Sequence, residues 1–200
     1  MIRIGITGGL ASGKSTALEL LRELGCHTIS SDDINRELLK NDKRLIEQIK
    51  ILFKCVDDNG VVNKQALGKI IFNDEKAKKQ LEDLIHPLIK IVRKDFFKKC
   101  EIQGGQFAVC ESPLLFEKEL MAEFEYTIII TASLDIRIDR FIASGWTQEQ
   151  FFNITKNQFL DKHKQQMADF VIKNNKTKID LKKELKFVLE KIIEDRKKKI

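Results

Sequence analysis

The stretch Gly8-Gly9-Leu10-Ala11-Ser12-Gly13-Lys14-Ser15-Thr16 fits the pattern G-x-x-x-x-G-K-[ST], and that spacing suits one kind of chemistry. Its glycines let successive backbone N–H groups converge on phosphate oxygens. The lysine ammonium reaches the β- and γ-phosphates, and the serine hydroxyl faces a Mg²⁺ ion that bridges them. Gly9, Ala11, Ser12, Gly13, Lys14, Ser15 and Thr16 are therefore expected to hold a nucleoside triphosphate, with Lys14 as a catalytic cation and Ser15 as the metal-facing group. The apolar run 2–7 leads straight into the pattern, and a segment of helical period follows it. A strand thus delivers the chain to a tight turn, and the next helix points its positive dipole end at the anion.

In an open parallel sheet ligands sit beyond the carboxyl ends of the strands, so acids that close strand-like runs are candidates. Asp32 follows the run 26–31, on the strand expected to neighbour the phosphate loop, where a carboxylate could accept the proton of an attacking hydroxyl. It could equally cap the helical segment beginning at Ile34, although Asp33 could take that cap. Glu111 closes Phe107-Ala108-Val109-Cys110. The residue more usual there is Asp, and the longer Glu leaves direct Mg²⁺ ligation, contact through a water, and a substrate hydrogen bond all open.

Arg137 and Arg140 lie three apart on a helical segment and share a face. Arg140 is the better placed to meet charge developing on a transferred phosphoryl group, whereas Arg137 reads as part of a solvated helix face. His86 precedes Pro87 in an otherwise helical stretch. Proline cannot continue the hydrogen-bond ladder, so a break or kink is expected there, with His86 structural by its spacing. His27, His86 and His163 are too scattered to outline a metal cluster.

The elements that must position these groups follow from periodicity. Strand-type runs occur at 2–7, 26–31, 106–111, 125–131 and 169–173, separated by segments of helical period. Strand alternating with helix implies an α/β fold with a five-stranded parallel sheet, right-handed crossovers and helices on both faces. Helical segments 33–40, 43–53, 63–72 and 75–100 separate the second run from the third. A crossover needs only one helix, so an inserted helical subdomain is expected over 33–103. Residues 145–163 are polar with few apolar anchors, which suits a mobile lid over 144–167. The core of this single catalytic unit would then be 1–32, 104–143 and 168–200.

Composition narrows the class further. With 200 residues and 42% hydrophobic content the chain can bury one core of ordinary size. The net charge of +6 hints at a polyanionic partner, yet the 36 basic residues are interleaved with 30 acidic ones along helical stretches, which describes solvated faces. Neither a nucleic-acid nor a membrane partner is expected. The longest apolar runs are strand-length and Met1 opens directly into a strand without a leader-like segment, so a cytoplasmic protein is expected; a monomer or weak oligomer is expected as well. Cys26, Cys55, Cys100 and Cys110 form no C-x-x-C pair and indicate neither zinc nor a disulfide framework.

Along nearly its whole length the chain resembles the dephospho-coenzyme A kinases. The resemblance rests on residues 7–16, the Asp32 segment ending in Arg36, Leu84-Ile85-His86-Pro87-Leu88-Ile89, Glu111-Ser112-Pro113-Leu114-Leu115-Phe116-Glu117, Gln158, Ala168-Asp169 and Asn174-Asn175. It implies a three-layer P-loop NTPase fold with a helical substrate-binding insertion and a lid. It also implies transfer of the γ-phosphoryl of ATP, with Mg²⁺, to the ribose 3′-hydroxyl of dephospho-coenzyme A. Carried over residue by residue, it makes Asp32 the base and Lys14 and Arg140 the cations on the moving group. Arg140 and Asn175 join the ATP contacts, and His86, Glu111 and Leu115 stand with Asp32 near the acceptor.

Three departures from the family pattern stand out. Ser30-Ser31-Asp32 replaces the usual Asp-Ala-Asp, Asn153 stands where a lid arginine is common, and Lys164 gives a point charge where an arginine fork is frequent. A nucleoside monophosphate or shikimate-type kinase would share the loop, strand order and lid and differ in acceptor. A nucleotide-switched binding protein is a further alternative, but no guanine-reading N-K-x-D motif supports a GTPase.

Overall fold

The apolar runs form, in a computed structural model describing residues 1–156 and 161–198, one five-stranded sheet. Its strands are β1 (Ile2–Thr7), β2 (His27–Ser30), β3 (Phe107–Glu111), β4 (Tyr126–Thr131) and β5 (Phe170–Lys173), in the order β2-β3-β1-β4-β5. β1 pairs in parallel with both β3 and β4, and β4 in parallel with β5. All five strands lie where the periodicity places them, to within the ordinary uncertainty of element ends.

The expected neighbour of the phosphate-loop strand needs correction, because β3 lies between β2 and β1. Burial gives the reason. Every residue of β3 is buried, as a central strand covered on both faces requires, whereas all four of β2 are half-buried, as on an edge. The apolar Phe-Ala-Val-Cys against the mixed His-Thr-Ile-Ser already carries that distinction.

The chain divides into two compact units, residues 1–29 with 99–200, and residues 30–98. In the first, Ile4, Ile6, Val109, Ile128 and Ile130 alternate onto one face of the sheet. There α1 (Lys14–Glu23) and α9 (Lys178–Lys198) cover them with Leu18, Leu21, Leu185 and Ile192. Each such side chain contributes about 1.5–3 kcal/mol of burial. On the opposite face Leu115 and Phe124 approach β1 so closely that a Cβ on Gly5 would overlap both. Also in this unit are α6 (Leu134–Ala143), α7 (Gln148–Thr155) and α8 (Asp161–Met167).

The second unit is helical. It holds α2 (Ser31–Asn41), α3 (Lys43–Phe53), α4 (Lys64–Asn73) and most of α5 (Glu75–Ile102). Leu45, Ile49 and Phe53 form one buried stripe of α3, and Asp42 and Asn63 cap α3 and α4 by accepting from the N–H groups of Leu45 and Ala66. α5 runs unbroken through Pro87, so the break expected there does not occur. Leu81 and Ile85 before the proline and Leu88 and Ile89 after it all pack into the same apolar cluster. That continuous stripe offsets the roughly 3 kcal/mol an interior proline costs. Among the described residues no helix is long and apolar enough to cross a membrane.

Candidate active site

The loop between β1 and α1 takes the shape its glycines allow. Gly13 sits at φ 97° as the N-cap of α1 and brings no side-chain cap, so the positive end of the helix is left for another acceptor. Ala11 also adopts the left-handed region, at φ 57°, which a non-glycine residue holds at a cost of order 1 kcal/mol. The Ser12 N–H donates to the Gly9 carbonyl at 3.2 Å and the Lys14 ammonium donates to the same carbonyl at 3.1 Å. Lys14 is thus folded over its own loop. Ser15 is exposed at the start of α1.

Two outward carbonyls of the loop are held from outside. Arg137 Nε donates to the Leu10 carbonyl at 2.7 Å, and Asn174 Nδ2 donates to the Ser12 carbonyl at 2.9 Å. A Cβ on Gly9 would collide with the Arg137 guanidinium, and one on Gly13 with Asn174 Nδ2. Arg137 is only 8% exposed, which overturns its reading as a solvated helix face. The three-residue spacing to Arg140 was legible, but the direction of the face was not, because it depends on a carbonyl far away in sequence.

Arg140 donates through Nη2 to the Asn174 carbonyl at 3.0 Å, while its Nη1 is buried with no hydrogen-bond partner among the described residues and lies 3.9 Å from where a Cβ on Gly13 would stand. An unpartnered guanidinium nitrogen beside an uncapped helix end is the donor set that phosphate oxygens satisfy, so the residues fit a polyphosphate. Asn175 is committed locally, its Oδ1 accepting from the Ser133 N–H at 2.9 Å.

Glu111 is buried at the end of β3, in register with Ile6 of β1, one residue short of the end of the strand that feeds the loop. Among the described residues no three His, Cys, Asp or Glu side chains gather into a metal cluster. Leu115, expected near the acceptor, is 0% exposed and packs against Gly5, so its side chain belongs to the core.

The segment after α6 has few apolar anchors among its described residues: within 145–156 Phe151 alone is buried, while Trp146, Phe152 and Ile154 are exposed. Phe151 of α7 is 1% exposed and meets Phe141 edge-on at 5.6 Å, and Trp146 stacks on the same Phe141. Thr147 and Gln150 form a complete capping box at the start of α7. Lys164 of α8 is fully buried. Gln158 lies outside the described residues.

In the helical unit, Asp32 is exposed in the first turn of α2, and the cap is Ser30, whose hydroxyl accepts from the Asp32 N–H at 3.2 Å. The capping alternative for Asp32 and for Asp33 therefore falls away. Asp33 instead pairs with Arg36 at 3.0 Å. His86 is exposed on α5. Arg93 of α5, buried, was not singled out from sequence.

A parallel sheet of order 2-3-1-4-5 with this loop after its first strand defines a P-loop kinase fold, and solved kinases share it. Shikimate kinase from Aquifex aeolicus, at 16% identity, aligns with a TM-score of 0.53 over 96% of this chain and 98% of its own, a likeness of fold alone. The relationship closes on one family. The family model described as dephospho-CoA kinase, CoaE, matches residues 2–180. A dephospho-CoA kinase of Staphylococcus epidermidis is 33% identical over 190 residues, 94% of this chain and 93% of that protein. The structure of the Campylobacter jejuni dephospho-CoA kinase superposes with a TM-score of 0.72 at 27% identity over 97% of this chain and 98% of its own. TT1252 from Thermus thermophilus superposes with a TM-score of 0.83 at 31% identity, covering 95% of this chain and 97% of that one. The chain belongs to the dephospho-CoA kinase family.

Proposed function

We propose that this protein transfers the γ-phosphoryl group of ATP to the ribose 3′-hydroxyl of dephospho-coenzyme A, the last step of coenzyme A synthesis, in the cytoplasm. The observation that carries the reading is the unpartnered, buried Arg140 Nη1 beside Gly13 and the uncapped start of α1, in a chain matched to this family over residues 2–180.

The loop amides and α1 hold the β- and γ-phosphates, and Lys14 leaves the Gly9 carbonyl to meet them. Asp32 accepts the proton of the 3′-hydroxyl. The ribose oxygen then forms a bond to the γ-phosphorus as the bond from that phosphorus to the β–γ bridging oxygen breaks, releasing ADP. Lys14 and Arg140 neutralise charge on the moving group. A Mg²⁺ ion, held with the help of Ser15, would supply further neutralisation of the triphosphate charge. His86 and Glu111 orient the acceptor nucleotide, segment 33–103 receives its pantetheine arm, and segment 144–167 excludes water. Offering the pure protein ATP, Mg²⁺ and dephospho-coenzyme A beside AMP, CMP and shikimate tests the assignment. Phosphate should appear on the 3′-oxygen of dephospho-coenzyme A, and preferential phosphorylation of any other acceptor overturns it.

A further inference from the structure

Three of the contacts of Arg137 together do more than fill space. Its Nε donates to the Leu10 carbonyl at 2.7 Å, its guanidinium presses on Gly9 where no Cβ fits, and its Cζ lies 5.4 Å from the ring centroid of Phe151 on α7. The phosphate loop contains no cis peptide, so a carbonyl and the next N–H point in opposite directions. Drawing the Leu10 carbonyl towards Arg137 therefore aims the Ala11 N–H away from it, into the turn of the loop. Asn174 does the same two peptides further on, turning the Gly13 N–H by holding the Ser12 carbonyl. Ala11, between the two held carbonyls, is the non-glycine loop residue kept in the left-handed region, a conformation that persists only where its surroundings impose it.

Phe151 gives this brace a second end. Its ring is buried, touches Phe141 edge-on at 5.6 Å, and offers its face to the guanidinium. A shift of α7 moves the ring and with it the surface on which the guanidinium rests. We propose that Arg137 is a positioning residue that orients the phosphate-loop amides for a nucleoside triphosphate and, through Phe151, makes that orientation depend on the seating of α7. The inference rests on the proposed reading that this loop binds ATP.

The test uses the full-length protein with Arg137→Met, Arg137→Lys, Phe151→Leu and the double variant Arg137→Met/Phe151→Leu. Four quantities are read: the Kd for Mg²⁺-ATP by calorimetry without acceptor, the KM for dephospho-coenzyme A, amide exchange of residues 8–13, and the melting temperature. Arg137→Met should raise the ATP Kd about tenfold, in line with the loss of one charge-assisted hydrogen bond, and should speed loop exchange while leaving the acceptor KM unchanged. Arg137→Lys should remain weakened, because an ammonium offers neither the in-plane Nε donor nor a flat face to stack. Phe151→Leu should weaken ATP binding in the parent but add little to Arg137→Met. A lower melting temperature with ATP Kd and loop exchange within about twofold of the parent would mean packing alone and overturn the proposal. So would full rescue by lysine, and additive effects in the double variant would overturn the link to α7. If the parent itself fails to bind ATP, the proposed function falls. Loop exchange in the variants still decides whether the brace exists, and Arg137→Lys and Phe151→Leu keep the test open should Arg137→Met not fold.

Discussion

The ammonium of Lys164 lies 2.7 Å from a carboxylate oxygen of Glu117, with the two side chains 0% and 8% exposed. Lys164 also donates to the Pro113 carbonyl at 3.3 Å, and the same carbonyl accepts from the Thr7 hydroxyl at 3.3 Å. One buried cation thus ties α8 to the segment following β3, and that segment is tied to the last residue before the phosphate loop. The point charge at position 164 is spent inside the protein.

Removing one partner of such a pair leaves a buried uncompensated charge. Lys164→Met should therefore destabilise the protein by about 3–5 kcal/mol, whereas Lys164→Met with Glu117→Gln should recover much of that loss. Denaturant melts of the parent, the single and the double variant measure the coupling. A double variant no more stable than Lys164→Met would show that the pair contributes nothing as a pair.

The Lys14 ammonium donates to the Gly9 carbonyl of its own loop at 3.1 Å. Lys14→Ala should fold normally and lose several orders of magnitude in turnover, since a cation on the β- and γ-oxygens acts in the transition state. Near-normal turnover by a folded variant would sink the phosphate-loop assignment.

Gly13 is constrained twice, by its φ of 97° and by Asn174 Nδ2 standing where a Cβ would go. Gly13→Ala should displace Asn174 from the Ser12 carbonyl and weaken ATP binding by about tenfold or more. Calorimetric titration decides, and an unchanged Kd would mean that the loop absorbs the methyl group without reshaping.

Burial pushes the Cys26 thiol up to about 12 and raises those of Cys55 and Cys100 as well, and all four cysteines are free and buried. At pH 8 the thiolate fraction of Cys26 is on the order of 10⁻⁴. Iodoacetamide at that pH should leave native Cys26 unlabelled for hours and label it readily in denaturant. Rapid labelling of the native protein would contradict the burial.

What was legible in the sequence was whatever local pattern decides. The strand-type runs at 2–7 and 125–131, the helical stripe of Leu45, Ile49 and Phe53, and the loop motif all report on neighbours close in the chain. What was not legible depended on partners far away. Arg137, Lys164 and Asn174 look like ordinary polar positions until the Leu10, Pro113 and Ser12 carbonyls stand beside them. Pro87 fails as a helix breaker for the same reason, since the apolar cluster that holds α5 through it comes from α3 and α4. The edge position of β2 was readable from its polarity, had its composition been set against that of β3.

Asp32 carries the mechanistic bet. With Ser30 serving as the cap of α2, Asp32 lies within the first turn, where a carboxylate gains only about 0.3–1 kcal/mol from the helix dipole. Asp32→Asn keeps size and polarity and leaves the Ser30 contact in place, so stability should fall by no more than about that amount. The amide cannot accept a proton, so the chemical step should slow by about a hundredfold or more while ATP affinity stays near the parent value. Ser30→Ala supplies the contrast, since losing the cap should cost about 1 kcal/mol of stability. Single-turnover rates, ATP titrations and denaturant melts of both variants separate the roles. If Asp32→Asn turns over at the parent rate, the carboxylate is an ornament of the helix end and the proton must leave by another route.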